Sequence, residues 1–353
     1  DNNDGTTTWV SSPIESIIET YNVTIQDNCS SLTLTGASPA ECLNTPFDCD
    51  DGFAYIIVNE RNGEGDFVSG LYSYDLATHA QTLIKAPLIT DASTSQFVNG
   101  IGYNVLDNNI YGIQQNTNNI VKIDASANVE FLPIVGPFTV GDYSSGDINA
   151  NGILFLHGES KFVAIDLNPS SSNYLTSTTL LNYPVTVNDI VVSPADGNIY
   201  MVTSTSNRKL LRFNVTSNTI DDLGLVTGLS SETTNAFGTA YMDALGNMYI
   251  ANNASGNIYR IALPHTGNLV ATNHGDLIDI EPGDGARCPS QLITPVAVSD
   301  SICVTSDEIA AEIEINVLDN DSAGTYNLDI TGVQFIDPIT SLPTSTVTIP
   351  SQG

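Results

Sequence analysis

The middle of the chain consists of short segments in which apolar and polar residues alternate, separated by turns rich in Gly, Asn and Asp. A period of two residues is typical of a β-strand with one buried face, and these turn residues favour sharp reversals. The segments recur as a unit of about 47 residues. The first segments of its four full copies are Gly100–Asn104, Gly146–Ala150, Asn188–Val192 and Gly238–Met242. The second segments are Asn109–Ile113, Gly152–Leu156, Asn198–Val202 and Asn247–Ala251.

Repetition of a four-stranded unit at this period is typical of a β-propeller, in which each unit forms one blade. We therefore predict an all-β chain whose propeller has five blades, with six as the alternative. A fifth copy, over 53–75, lacks its first segment. Because an incomplete ring would expose unpaired strand edges, we expect Gly283–Pro289 to supply the missing innermost strand. Its Gly285-Ala-Arg resembles Gly238-Thr-Ala, the start of another innermost strand.

Aromatic residues recur at matched positions of the second segments. Tyr111, Phe155, Tyr200 and Tyr249 are spaced by 44, 45 and 49 residues. Large rings at equivalent positions of successive blades predict a packing role between neighbouring blades. A ligand-binding aromatic box is the alternative.

The five cysteines favour disulfides over a metal site. None forms a Cys-x-x-Cys pair and no His lies near them at ligand spacing, which disfavours zinc. Closure of the ring would bring Cys288 near Cys49, so we predict a disulfide between them. Cys29 and Cys42 are then the default second pair, and Cys303 has no obvious partner. Disulfides indicate an oxidising, extracellular location.

Composition excludes two classes of partner. The 353 residues include 40 acidic and 9 basic side chains, for a net charge of −31. Nucleic acid and anionic membranes both require clustered Lys or Arg, so neither is expected as a partner. No run of 18 or more apolar residues predicts a membrane-spanning helix, and no signal peptide is evident. The acidity fits either simple solubility or a calcium-rich, saline environment.

The flanks differ from the repeat, which we assign to residues 48–291. Residues 1–47 fit the end of a preceding β-rich domain, since 21–29 alternates and resembles the last strand of an immunoglobulin-type surface repeat. The C-terminal flank, residues 295–353, begins within Thr294-Pro-Val-Ala-Val-Ser-Asp300 and contains Val317-Leu-Asp-Asn-Asp321. These motifs resemble the start of the cadherin-like or immunoglobulin-like β-sandwich repeats of large bacterial surface proteins. We therefore expect a segment of a longer tandem-domain protein.

The propeller itself resembles a domain-of-unknown-function family of bacterial surface propellers, distantly similar to gluconolactonase-type ones. The resemblance rests on Asn-x-Ile/Met-Tyr, on Gly238-Thr-Ala-Tyr-Met-Asp243 and on Asp284-Gly-Ala-Arg-Cys-Pro289. It implies a secreted or cell-surface location, and no activity. Gluconolactonase-like enzymes hold a divalent cation with Glu, Asn and Asp at the channel, and no matching channel Glu is present here.

Candidate binding residues lie where the innermost strands begin, around the central channel. They are Asn99, Asp147, Asn188, Asp189, Asn235 and Asp284. Converging Asn and Asp oxygens could bind Ca²⁺. The alternative is that they cap strands or hold channel waters.

A second candidate calcium site lies in the C-terminal repeat. It comprises Asp319, Asn320 and Asp321, with Asp300 or Asp307 as a further ligand. Adjacent carboxylates repel each other unless a cation or water screens them. A solvated turn is the alternative.

Three hypotheses about function follow. The first is a non-enzymatic segment of a cell-surface or secreted adhesin, with the propeller as a module that recognises a glycan or protein or acts as a spacer. The second is a secreted metal-dependent lactonase-like hydrolase that uses the channel residues. The third is a structural subunit of a surface filament. The four His show no metalloprotease or nucleophile pairing, and no nucleophile elbow, phosphate loop or dinucleotide motif is present.

Overall fold

The computed structural model describes residues 44–295 except 235, 264–266 and 278–282. Beyond this range it describes 321, 324 and 325 and the backbone of four short strands. The chain forms two compact units, Asp1–Thr45 and Pro46–Gly353. In the first unit, β1 (Thr7–Val10) pairs antiparallel with β2 (Thr20–Val23). Cys29 and Cys42 lie outside the described residues, so their pairing stays a prediction.

The described part of the second unit is all-β. Its first ten strands are β3 (Phe53–Arg61), β4 (Phe67–Asp75), β5 (Gln81–Lys85), β6 (Val98–Asn104), β7 (Asn109–Gln114), β8 (Asn119–Ile123), β9 (Val129–Pro133), β10 (Ser145–Ile148), β11 (Ile153–Gly158) and β12 (Lys161–Asp166). The next ten are β13 (Ser177–Asn182), β14 (Val191–Val192), β15 (Ile199–Val202), β16 (Lys209–Asn214), β17 (Thr219–Thr227), β18 (Phe237–Met242), β19 (Met248–Asn252), β20 (Asn257–Ile261), β21 (Leu269–Asp276) and β22 (Gly283–Arg287). Two short strands, β23 (Phe335–Ile336) and β24 (Pro343–Thr344), pair antiparallel.

These strands pair in successive groups of four. The groups β6–β9, β10–β13, β14–β17 and β18–β21 are antiparallel meanders of consecutive strands. The remaining group has the order β22-β3-β4-β5, so its innermost strand comes from the far end of the domain. The predicted closure by the C-terminal segment is confirmed. A short parallel pairing of β17 with β21 also joins two neighbouring groups at their outer edges.

The innermost strands enclose a central channel. In ring order, β22 lies against β6, β6 against β10, β10 against β14, β14 against β18, and β18 against β22. Four-stranded groups arranged around such a channel form a β-propeller.

The core lies between neighbouring groups, where the recurrent aromatic residues pack. Tyr111, Phe155, Tyr200 and Tyr249 are all buried. Tyr111 packs against residues of β10 and β11, and Tyr249 packs against residues of β3 and β4. Tyr55 occupies the same position in the first group and packs against β6. The predicted packing role is confirmed.

A disulfide joins the two ends of the propeller. Cys49 and Cys288 are bonded, with their Cα atoms 5.4 Å apart and 239 residues apart in sequence. Cys49 precedes β3 and Cys288 follows β22, and these two strands pair along their whole shared length. The predicted disulfide is therefore present, and it secures the strand pair that closes the ring.

Candidate functional site

Glycines allow the innermost strands to approach closely where the channel begins. A Cβ atom on Gly146 would lie 2.6 Å from the carbonyl oxygen of Gly100, and one on Gly102 would lie 2.6 Å from the amide nitrogen of Ile148. A Cβ on Gly285 would lie 2.6 Å from Cγ2 of Thr239. Real Cβ atoms do not approach so closely, so residues without a side chain set the width of the channel here.

This close packing predicts the effect of a single methyl group. Gly146→Ala would push β6 and β10 apart, and we expect it to lower the free energy of unfolding by about 2 kcal/mol, as overpacking does. Gly63→Ala is the control, because nothing lies within 4 Å of a Cβ there. Urea denaturation of both variants measures the difference. Equal effects would show that the inner strands have room to separate.

Asp284 in β22 links its strand to β6. One carboxylate oxygen accepts a hydrogen bond from the amide of Gly285 at 2.8 Å, and the other accepts one from the amide of Ile101 at 2.8 Å. The second bond depends on Gly100, whose φ of 61° lies at an irregularity in the pairing of β6 with β7. Such a bulge redirects the backbone, and the left-handed conformation favours glycine. Asp284 thus joins the closing strand to the next group.

Asp147 in β10 repeats this arrangement two groups further on. Its two oxygens accept hydrogen bonds from the amides of Ile148 and Val192, both at 2.8 Å. Burial within the ring raises the pKa of Asp147 to about 7, and the two amide donors oppose that rise. Asp147 thus links β10 to β14 as Asp284 links β22 to β6.

Asp189, just before β14, is the exception among the three carboxyls. Its Oδ1 accepts the Ile190 amide at 2.7 Å, but its Oδ2 has no hydrogen-bond donor among the described residues. Burial raises the pKa of Asp189, and the adjacent Asp284 carboxyl raises it further. Burial also raises the pKa of Asp284. Two neighbouring buried carboxyls with raised pKa values favour a state in which they share a proton.

Two neutral oxygens near the start of the innermost strands also lack partners among the described residues. They are Oδ1 of Asn99 and Oγ1 of Thr239, and both side chains are buried. Thr239 was not predicted, although Gly238-Thr-Ala occupies the repeat position of Gly146-Asp-Ile, and alignment of the copies could have found it. Asn188 is bound differently, because the Ser204 hydroxyl donates to its Oδ1. Asn235 lies outside the described residues.

The channel therefore brings together Asp189 and Asp284 and places Asp147 one group away. No group of three or more His, Cys, Asp or Glu positioned to hold a metal ion occurs in the part of the chain that the structure describes. Calcium at the channel stays a prediction. The same holds for the C-terminal site, since Asp300, Asp307, Asp319 and Asn320 lie outside the described residues and only Asp321 lies within them.

Comparison with known families identifies the repeat. Residues 50–290 match the family described as "Repeat of unknown function (DUF6923)". The chain belongs to this family. The matched region runs from just after Cys49 to just past Cys288, so the family repeat coincides with the disulfide-closed ring.

Solved structures similar to this family member are remote in sequence. The nidogen/laminin complex is 11% identical, with a TM-score of 0.43, over 70% of this chain and 84% of that chain. Virginiamycin B lyase from Staphylococcus aureus is 11% identical, with a TM-score of 0.36, over 64% and 71%. A functionally unknown protein from Desulfotomaculum acetoxidans DSM 771 is 15% identical, with a TM-score of 0.38, over 65% and 68%. Likeness at this level assigns no activity or ligand.

No curated protein matches the chain. Within the described residues, no helix has the length and apolar character needed to cross a bilayer. The family description assigns no activity to the repeat.

Proposed function

We propose that this chain is a non-enzymatic segment of a secreted or cell-surface bacterial adhesin. In this proposal the propeller is a recognition module that branches to one side of the line connecting the preceding and following domains. The observation that carries the proposal is the position of the Cys49–Cys288 disulfide. It joins the point where the chain reaches the ring to the point where the chain leaves it. The ring in this proposal has five blades, one for each group of four strands.

Contacts around the disulfide hold the incoming and outgoing segments side by side. The side chain of Gln291, in the outgoing segment, donates a hydrogen bond to the carboxylate of Asp50, in the incoming segment. Arg287 donates to the backbone oxygens of Gln291, at 2.7 Å, and Leu292, at 3.3 Å. Tension between neighbouring domains would therefore pass through the disulfide and would leave the blades unloaded.

The chain beyond the ring is also seated against it. The Thr325 amide donates to the Ile293 carbonyl at 2.9 Å, and the Ile293 amide donates to the Thr325 hydroxyl at 2.6 Å. Arg260 on β20 donates to the Thr325 carbonyl at 2.7 Å. This contact supports a fixed mounting of the ring on the following domain of the same chain.

The channel carboxyls support a structural role for the channel. Five of the six carboxylate oxygens of Asp147, Asp189 and Asp284 accept hydrogen bonds from backbone amides. Carboxylates used in this way bind strand to strand. The proposal accordingly assigns recognition to the rim of the propeller, with a glycan or a surface protein as the ligand.

Mechanical stretching of the full chain tests this arrangement. With the disulfide intact, we expect no unfolding step that releases the propeller, because the load bypasses it. After reduction, a step of roughly 800 Å should appear, at about 3.4 Å for each of the 239 residues between the two cysteines. Single-molecule force spectroscopy measures both lengths.

The control is the chain carrying Cys49→Ser and Cys288→Ser, which should give the long step with or without reductant. A long step from the oxidised wild-type chain would show that the blades carry load. That result would overturn the side-mounted recognition module.

A further inference from the structure

One hairpin projects beyond the rest of the ring. β3 and β4 pair over nine residues, from Phe53↔Asp75 to Arg61↔Phe67, whereas the corresponding strands of the other four groups pair over four to six. Three additional residue pairs extend a hairpin by about 10 Å. The turn at 62–66 is exposed. The extension contributes nothing to closing the ring, so it is available for another role.

The tip of this hairpin is held in one conformation. Oδ1 of Asn62 accepts hydrogen bonds from the amides of Glu64, at 2.9 Å, and Asp66, at 3.0 Å. Arg61 donates to the carbonyl of Gly65 at 2.6 Å, and its guanidinium lies 4.0 Å from the centre of the Phe67 ring. The hairpin therefore presents a fixed surface.

A cleft of about 510 Å³ separates the hairpin from the loop that leads into β6. This volume is within the range of small-ligand sites. We call it the rim cleft. Its neutral polar lining consists of Asn62, Ser93, Thr94, Ser95, Gln96 and Asn116. Its aromatic wall is formed by Phe67 and Phe97, whose ring centres lie 4.8 Å apart.

The loop side of the rim cleft is also preorganised. Gln96 donates to the carbonyl of Ile89 at 2.6 Å, which folds the loop onto itself. Gln114 of β7 donates to the Thr94 hydroxyl at 2.9 Å and to the Ser95 carbonyl at 2.7 Å. Both walls are thus held before any ligand arrives, which reduces the entropy lost on binding.

We infer that the rim cleft binds a neutral saccharide. This inference rests on the proposed recognition module and specifies its binding site and its class of ligand. Amide and hydroxyl side chains both donate and accept hydrogen bonds, as sugar hydroxyls do. The half-buried Phe97 ring offers apolar surface for the C–H face of a sugar ring, and Phe67, with Arg61 over its ring, packs against Phe97.

Charge argues against anionic ligands. The net charge of −31 repels anions over the whole surface. The cleft lining also contains Arg61, Glu64 and Asp66, which give it one positive and two negative charges. A neutral polyol avoids the repulsion that an anion meets, and these three side chains can hydrogen-bond its hydroxyls.

The test uses the full chain on an array of neutral di- to tetrasaccharides built from glucose, mannose, galactose, xylose or N-acetylglucosamine, with oligogalacturonate as the acidic probe. We expect binding to at least one neutral probe and none to oligogalacturonate. Asn116→Gly should weaken that binding about tenfold, as expected for one lost hydrogen bond. Asn116 is exposed and has a φ of 60°, so glycine keeps its backbone conformation.

The matched control is Asn218→Gly. Asn218 is also exposed with a positive φ, of 54°, but it lies between β16 and β17, outside the cleft lining. It should leave binding unchanged. Phe97→Leu, which removes the ring and keeps apolar bulk, should also weaken binding.

Absence of neutral-saccharide binding at millimolar probe concentrations, binding only to oligogalacturonate, or equal effects of Asn116→Gly and Asn218→Gly would each overturn the inference. Capture of a surface protein without saccharide binding would overturn it as well. None of these results would alter the stretching measurement, so failure of the saccharide site remains distinguishable from failure of the side-mounted module.

Discussion

Removal of the Cys49–Cys288 disulfide is expected to lower the free energy of unfolding by about 5 kcal/mol. The bond closes a loop of 239 residues, and the entropy that a disulfide removes from the unfolded chain grows with the logarithm of loop length. The folded ring also loses a covalent link beside β22, the strand that completes the first group. Urea denaturation of the wild-type chain and of the Cys49→Ser/Cys288→Ser variant, followed by circular dichroism, measures the loss.

The reducing agent itself supplies the control. Dithiothreitol should destabilise the wild-type chain to the level of the double variant and should leave the variant unchanged. A variant as stable as the oxidised wild type would show that pairing of β22 with β3 holds the ring without the bond.

Asp189→Asn is expected to stabilise the propeller at neutral pH, by about 2 kcal/mol. In the wild-type chain, Oδ2 of Asp189 lies beside the Asp284 carboxyl and has a donor among the described residues only while the pair holds a proton. An asparagine amide at that position can donate to the Asp284 carboxylate, while its oxygen still accepts the Ile190 amide. A hydrogen bond to a charged group is worth about 1.5–3 kcal/mol. Thermal and urea unfolding at pH 7.5 measure the gain.

The same substitution should change how stability depends on pH. Burial raises the pKa values of Asp189 and Asp284 in the folded state above the ordinary value of 3.8. The folded state then binds protons more tightly than the unfolded state, so the stability contributed by the shared proton is fully present below about pH 4 and is lost as pH rises through the folded pKa values. Asp189→Asn should make this decline above about pH 4 shallower.

Asp147→Asn is the matched control within the channel. Both oxygens of Asp147 accept backbone amides, so the amide group of asparagine would face an N–H donor and one hydrogen bond would be lost. We expect this variant to be destabilised by about 1–3 kcal/mol at the same pH. Destabilisation of both variants to the same extent would contradict the proton-sharing pair.

The features predicted from the sequence were those that each repeat carries locally. The aromatic position of Tyr111 and Tyr249 follows from the pattern of a single strand, and it is repeated by similar residues in every copy. The closing strand was predicted because the first copy of the repeat lacks its first segment and Gly283–Pro289 resembles that segment. Pairing of this strand with the first copy places Cys288 near Cys49, so the disulfide could be predicted from the closure alone.

Side-chain pairings between distant repeats were predicted only as a general convergence on the channel. Asp189 and Asp284 are neighbours although β18 lies between their strands in the ring, and strand order alone does not give that proximity. Asn188 was grouped with Asp189 by adjacency, yet its side chain is bonded to Ser204. The rim cleft was also missed, because it depends on the length of one hairpin and on the path of the following loop.

Disulfide mapping of the unreduced chain tests the central claim most directly. After unfolding, cleavage before aspartate places Cys49 in Asp48-Cys49, Cys288 in 284–299, Cys303 in 300–306, and Cys29 with Cys42 in 27–47. If the ring is closed by its own C-terminal strand and held at its two ends by the disulfide, the peptide Asp48-Cys49 will be linked to the peptide 284–299. A link from Cys49 to 27–47, or from Cys288 to 300–306, would contradict the closure of the ring and the passage of tension through the Cys49–Cys288 disulfide.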